Sequence, residues 1–274
     1  MNSSYQMKFN GLERLYGKSS LERLQNAHVC LVGVGGVGSW TAEALVRSGI
    51  GRITLIDLDE VCISNTNRQI HALEPNIGRP KVEVLAERMR EINPDCQVHA
   101  IVDFFTESTE KQLLDANYYD CVIDAIDSLQ NKVRLIYGCW QRKIPIITVG
   151  GAGGRRDPSK VSGDDLAFST NDGLLRRVRK SLRQRIPEFA QEQPFGISCV
   201  YSRERPVYPM PDGSVCLKPP GSNSFRLDCE SGYGTASFVT GAFGFMAASM
   251  AVTFLCDTAK QEVYRTAKVK AEMT

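Results

Sequence analysis

Gly33, Gly35, Gly36 and Gly38 stand in the run Gly33-Val34-Gly35-Gly36-Val37-Gly38. In such a run, glycines let backbone approach a phosphate, and the helix that follows offers free N–H groups and a partial positive charge. Asp57, nineteen positions after Gly38, is placed to hydrogen-bond ribose hydroxyls. To this point NAD fits as well as ATP. The next residues separate them. Asp57-Leu58-Asp59-Glu60-Val61 runs into Ser64-Asn65-Thr66-Asn67-Arg68-Gln69, then Gly78-Arg79-Pro80-Lys81, and later Asp124-Ala125-Ile126-Asp127. Hydride transfer needs no fixed Arg and Lys on the cofactor's phosphates. Attack at the α-phosphorus of a triphosphate needs cations on the phosphate oxygens and a carboxylate to hold Mg²⁺. Arg68, Lys81 and Asp127 supply that set.

These residues act together only if the fold brings distant segments to one edge. β-Branched, apolar runs at 28–33, 52–57, 98–104, 119–124 and 144–149 predict buried strands. Helices are expected at 39–48, 81–92 and 131–142, and an N-terminal helix or arm at 12–25. Strands alternating with helices imply right-handed crossovers and a mostly parallel sheet covered on both faces, a doubly wound, Rossmann-like α/β fold. The regularity breaks at Gly150-Gly151-Ala152-Gly153-Gly154. No linker long or polar enough to separate a pair of domains follows. Residues 1–274 therefore read as one unit, with an ATP-binding half at 25–150 and a substrate-binding half at 151–274.

The ordered motifs GxGGxG, DxDxVxxSNxNRQ, GxxK and DxxD resemble the superfamily of ubiquitin-activating enzymes and their bacterial relatives, which adenylate carboxylates. The resemblance covers residues 10–150 and implies a role for each position. Asn65, Arg68 and Lys81 would contact the ATP phosphates, and Asp127 would bind Mg²⁺. Asp57 would bind ribose, while Asp59 and Asn67 would shape the same loop. In this family an arginine of an N-terminal arm enters the partner subunit's active site. Arg14, in Glu13-Arg14-Leu15-Tyr16-Gly17, is the matching position and implies a homodimer.

The second half departs from the relatives that activate sulfur carriers, which hold zinc with two C-x-x-C pairs. No such pair occurs here, so no zinc is expected, and Cys199, Cys216 and Cys229 lie in no recognisable nucleophile setting. Residues 174–186 instead carry six cations and no acid. Leu174, Leu175, Val178, Leu182 and Ile186 form the apolar stripe of a helix capped by Thr170 or Asp172. Arg176, Arg177, Arg179, Lys180, Arg183 and Arg185 spread over the remainder. A wholly cationic face is better explained by phosphates than by solvent. Arg155, Arg156 and Lys160 extend the same sign.

A carboxylate activator with a polyanion-binding half points to RNA that carries a carboxylate. The zinc-free layout and the segment 165–172 before the basic helix resemble the tRNA threonylcarbamoyladenosine dehydratase branch of the superfamily. That resemblance implies a tRNA bearing N6-threonylcarbamoyladenosine as partner and ATP-dependent cyclisation as the reaction. The threonyl carboxylate would attack the α-phosphorus, releasing pyrophosphate and leaving an acyl-adenylate. A nitrogen or oxygen of the neighbouring carbamoyl group would then close a ring and expel AMP. An internal nucleophile gains effective molarity without an enzyme cysteine. The alternative is an adenylyltransferase for a ubiquitin-like sulfur carrier, with a cysteine desulfurase or sulfur-acceptor system as a further partner. A nucleotide-binding adaptor without turnover is a third reading.

Composition sets the outer bounds. With 42% hydrophobic and 23% charged residues, disorder, collagen and coiled coil are excluded. The 33 basic and 31 acidic residues nearly cancel, so nucleic-acid affinity must be local. Nine scattered cysteines and a polar N-terminus predict reduced thiols in the cytoplasm. Residues 238–255 contain no charge over eighteen positions, the lower limit for a membrane span. Thr240, Gly244 and Ala248 fall on one face of such a helix, which favours a buried core helix over membrane association.

Overall fold

In a computed structural model, residues 3–191, 193–217 and 233–259 are described. Eight α-helices occur among them: α1 (Ser3–Tyr16), α2 (Lys18–Asn26), α3 (Gly36–Arg47), α4 (Lys81–Ile92), α5 (Glu110–Asp115), α6 (Leu129–Gln141), α7 (Gly173–Arg185) and α8 (Ser237–Cys256). The strands are β1 (His28–Val32), β2 (Arg52–Ile56), β3 (Gln97–Ile101), β4 (Cys121–Asp124), β5 (Ile146–Val149), β6 (Val161–Asp165), β7 (Ser198–Ser202), β8 (Tyr208–Pro209) and β9 (Val215–Cys216). Seven described strands form one sheet in the order β3-β2-β1-β4-β5-β7-β6. All pairs are parallel except β6, which runs antiparallel to β7. Strands β8 and β9 make a separate small hairpin.

Uninterrupted apolar runs need cover on both faces, and alternate residues of the strands go to opposite sides. Val29, Leu31, Ile53, Leu55 and Ile123 pack with Leu45 of α3, Leu85 of α4 and Phe243 of α8. Cys30, Val32, Ile56 and Val122 pack with Leu114 of α5, Ile136 of α6 and Val178 of α7. The second half thus contributes helices to both faces and β6–β7 to the sheet itself, two strands the sequence pattern does not foretell.

Two expectations are corrected here. The segment 12–25 is two helices, because Gly17 breaks it with φ at 86°, a conformation that strains any residue with a Cβ. Helix α3 starts inside the glycine run at Gly36 rather than at residue 39. The apolar segment 238–255 is α8, whose small residues serve close packing. A Cβ on Gly244 would lie 2.7 Å from the Val37 carbonyl oxygen, so α3 and α8 touch nearly backbone to backbone.

Two buried imidazoles tie this packing to pH. Burial, with Arg52 beside His28 and Lys81 beside His71, pulls both down to about 4. The unfolded chain then binds protons that the folded chain refuses, so stability rises with pH between about 4 and 6.5. From pH 6.5 to 5, where carboxylates are still ionised, stability should fall by up to about 1.4 kcal/mol per pH unit for each ring. Urea unfolding across that window checks this, and His71→Gln should make the fall shallower. A flat profile would mean that the rings charge freely in the folded chain.

Candidate nucleotide site and basic flank

The chain builds β1, β2 and β3 outward, then returns to place β4 on the other side of β1. The crevice at such a switch point, beyond the carboxyl ends of the strands, is where open α/β sheets hold ligands. Gly33 leaves β1 with φ at 87°, and a Cβ there would stand 2.9 Å from the Ala125 oxygen. Gly38 has a stricter reason. Its Cβ would be 1.9 Å from the Gly33 carbonyl oxygen, so only glycine closes this turn. Gly35 caps α3 and Gly36 opens it, leaving first-turn N–H groups that have no partner within the helix.

The residues after β2 close the other wall. Asp57 Oδ2 accepts from Val34 N at 2.7 Å and Oδ1 from Asp59 N at 2.9 Å. It therefore ties the glycine loop to its own strand. Burial raises the Asp57 carboxyl, against the pull of those two N–H groups and Lys81. Lys81 opens α4, is only 5% exposed, and places Nζ 2.8 Å from Asp59 Oδ2. Asn65 is buried, and its Oδ1 accepts from Cys62 N at 3.0 Å. Arg68 donates from Nη1 to Ser64 O at 2.7 Å and Asn67 Oδ1 at 2.9 Å. The Arg68 carbonyl accepts from Trp40 Nε1 at 3.0 Å and Thr240 Oγ1 at 3.2 Å. Asn67 Nδ2 donates to Thr235 O at 3.0 Å. The C-terminal segment, remote in sequence, thus fixes the loop that carries Arg68.

Asp127 lies exposed in the turn between β4 and α6, with no ion pair among the described residues. Beneath it is a pair that sequence reasoning missed. Lys132 Nζ is 2.8 Å from Asp124 Oδ2, and both side chains are 0% exposed. Thr148 Oγ1 donates to the same Oδ2 at 2.7 Å, while Asp124 Oδ1 accepts from Ile126 N at 3.0 Å. Asp124 is thereby committed to holding the Asp127 turn. The available signal was a cation on the buried face of α6, beside Val133, Leu135 and Ile136.

Helix α7 starts at the same edge of the sheet. Its cap is Asp172, whose Oδ1 accepts from Leu175 N and Oδ2 from Gly151 N, both at 2.8 Å. Arg176, Arg177, Lys180 and Arg185 are exposed. Arg183 is also exposed and lies over the Phe195 ring, 5.5 Å from its centroid. Arg179 departs from the expected cationic face, turning inward to the Leu166 carbonyl and the Ser169 hydroxyl. Arg155 departs likewise. It is 4% exposed and donates to Asn171 O at 2.5 Å, bracing the segment before α7. Arg14, by contrast, is exposed at the last turn of α1. It stands apart from the crevice in the single chain.

The thiols divide by burial. Cys199 sits in β7, where desolvation pushes it up to about 12, which makes it unreactive at neutral pH. Cys62 is exposed and lowered by hydrogen bonds from Ser64. Cys229 lies outside the described residues. Among those residues no group of three or more His, Cys, Asp or Glu is placed to hold a metal ion.

A glycine loop at the switch point, with Arg68, Lys81 and Asp127 on the loops around it, is the arrangement of a nucleotide-binding α/β protein. The chain belongs to the ThiF family, whose pattern matches residues 5–273. It is 47% identical over 254 residues to the tRNA threonylcarbamoyladenosine dehydratase of Escherichia coli strain K12, covering 92% of this chain and 94% of that one. The Bacillus subtilis strain 168 protein of the same name is 42% identical over 73% of this chain and 76% of its own. The crystal structure of the Escherichia coli enzyme in complex with ATP matches with a TM-score of 0.81 at 42% identity, over 94% of this chain and 97% of that one.

Proposed function

We propose that this chain is an ATP-dependent tRNA threonylcarbamoyladenosine dehydratase. It activates the threonyl carboxylate of N6-threonylcarbamoyladenosine by adenylation and lets the adjacent carbamoyl group close the ring. One observation carries the reading: the crevice and the start of a basic helix share one sheet edge, so a phosphodiester chain and a triphosphate can meet there. Pyrophosphate leaves in the first step. In the second the carbamoyl nucleophile loses its proton, and AMP departs with the carboxylate oxygen. The nucleotide substrate loses one water.

Each residue has a physical task. Asp57 and the N–H groups of the glycine loop position ribose and phosphate. Arg68, once turned from Ser64 and Asn67, and Lys81 from Asp59, place cations on the phosphate oxygens, with Asn65 and Asn67 holding the loop between them. Asp127 fits Mg²⁺, which commonly takes one or two carboxylates and completes its shell with substrate phosphates and water. The ion would neutralise charge on the leaving pyrophosphate. Arg176, Arg177, Lys180, Arg183 and Arg185 hold RNA phosphates. Arg179 steadies the helix instead. Ring closure consumes no sulfur, so a cysteine desulfurase or sulfur-acceptor system is a partner outside the reaction.

We place the enzyme in the cytoplasm as a homodimer. Nine scattered cysteines without a paired spacing support the first, and burial of the α8 core face gives that helix a packing role. Exposed Met7 and Leu15, at 75% and 76% on the same helix as Arg14, support a second copy covering α1. Mixing Arg14→Ala protein with Asp127→Ala protein should then restore part of the activity through heterodimers. Mixtures that exchange subunits and stay inactive would remove Arg14 from the partner's site. Mass analysis of nucleosides from modified tRNA incubated with protein and ATP tests the function directly. The expected product is lighter by one water, and its absence under conditions of tight ATP binding would reject the reading.

A further inference from the structure

We propose that a second basic surface, made by Arg156, Lys160, Arg203 and Arg205 at the carboxyl end of β5 and β7, carries the RNA backbone between the nucleotide crevice and the first turn of α7. The inference rests on the tRNA reading above and adds where the strand runs. Arg203 and Arg205 directly follow β7, and only the sheet reveals their position. Strand β7 is parallel to β5, so its end at Ser202 opens at the same edge as the crevice. Strand β6 runs the other way and brings Lys160, just before Val161, beside it, with Arg203 N donating to Lys160 O at 2.9 Å. Neighbouring strands are about 4.8 Å apart. Strand β7 lies two places from β4, about 10 Å across the sheet, and β6 one place further, within reach of the nucleotides next to a bound one.

Charge organisation supports a polyanion. All four side chains are exposed, and none forms an ion pair among the described residues. The nearby acids are turned to the backbone instead. Glu204 Oε2 accepts from Arg156 N at 3.0 Å and from Asp157 N at 2.9 Å. Asp157 Oδ1 accepts from Ser159 N at 2.9 Å and Oγ at 2.6 Å. Asp164 and Asp165 sit at the opposite end of β6, paired with Cys199 and Ser198. Hydrogen bonds in turns orient Glu204 and Asp157 without removing their charge, and Asp157 is held low by Ser159 and then by Lys160. Four cations thus stand against two local acids, while Asp164 and Asp165 lie at the far edge.

The surface is also physically joined to α7. Asn171 Nδ2 donates to Arg203 O at 2.7 Å, and Asn171 immediately precedes the Asp172 cap. One rigid corner therefore presents both the β7 cations and Arg176 and Arg177. The rest of α7 runs away from it for about 20 Å, which places Arg185 at the far end of the track.

The test is a Lys160→Gln, Arg203→Gln, Arg205→Gln triple variant, compared with Arg176→Gln, Arg177→Gln and with the unaltered enzyme. All the replaced side chains are exposed, so thermal unfolding should be unchanged. Equilibrium binding of modified tRNA across a salt series should show weaker affinity. The salt slope should be lower by about 0.7 for each single-strand phosphate that is no longer neutralised, about 2 in all. KM for tRNA should rise at least about tenfold while ATP affinity is kept. An isolated anticodon stem-loop should show the same weakening. Unaltered tRNA affinity and slope in the triple variant, with weakening in the α7 variant, would overturn the surface and leave the tRNA reading intact. Failure of the unaltered enzyme to bind or convert modified tRNA would instead overturn the reading itself.

Discussion

Asp127→Ala protein should fold normally and lose about a hundredfold in the rate of ATP-dependent cyclisation, equivalent to about 3 kcal/mol of transition-state stabilisation. The side chain is exposed and engages no ion-pair partner among the described residues, so its removal leaves nothing buried and unsatisfied. Under the proposed function its task arises only when a triphosphate and Mg²⁺ enter the crevice. Arg68→Ala should give a loss of similar size, because charge on the phosphate oxygens then develops without its cation. Removing the Arg68 guanidinium also leaves the backbone clamp from Trp40 and Thr240 in place, since both bond to the Arg68 carbonyl. Pyrophosphate exchange in the presence of modified tRNA, with unfolding measured alongside, separates chemistry from folding. Near-normal exchange in either variant would sink its assignment.

Lys132→Met should be the most damaging single change to stability, at about 3–5 kcal/mol, the usual consequence of removing one member of a buried ion pair. Methionine fills the lysine's volume but leaves Asp124 charged, fully buried and supported only by Thr148 and the Ile126 N–H. Combining it with Asp124→Asn should restore most of the loss. The amide can still accept from Ile126 N and can donate to Thr148 Oγ1, with no charge left to bury. Urea unfolding of the single and double variants measures this. A single variant as stable as the unaltered protein would show that Asp124 is not held by Lys132.

The alternation of apolar strands with helices made the doubly wound core legible, because burial on both faces leaves long β-branched runs that few other arrangements tolerate. The nucleotide loop was legible for a related reason. Gly33 and Gly38 are required by backbone geometry within a few residues, and Asp57 follows at the end of the next strand. Local physics writes such features directly into sequence. Burial of 238–255 was partly legible too, from its small residues on one face.

What the sequence by itself determined was therefore the core, the phosphate loop and the types of group available for adenylation. The tertiary structure alone decided which of those groups are free to act. Arg155 and Arg179 read as members of a cationic surface, yet packing turns both to backbone and side-chain acceptors. Asp124 read only as the first position of the DxxD motif and Lys132 carried no reading, yet both side chains lie at zero exposure and hold the Asp127 turn. Strands β6 and β7 have little periodicity of their own and form because an open edge at β5 offers hydrogen bonds. Their pairing brings Lys160 beside Arg203, forty-three residues away. Spacing along a chain encodes contacts within a turn or a strand–loop–helix unit. The partner of a charge across a sheet edge is set by chain topology, which no local pattern records.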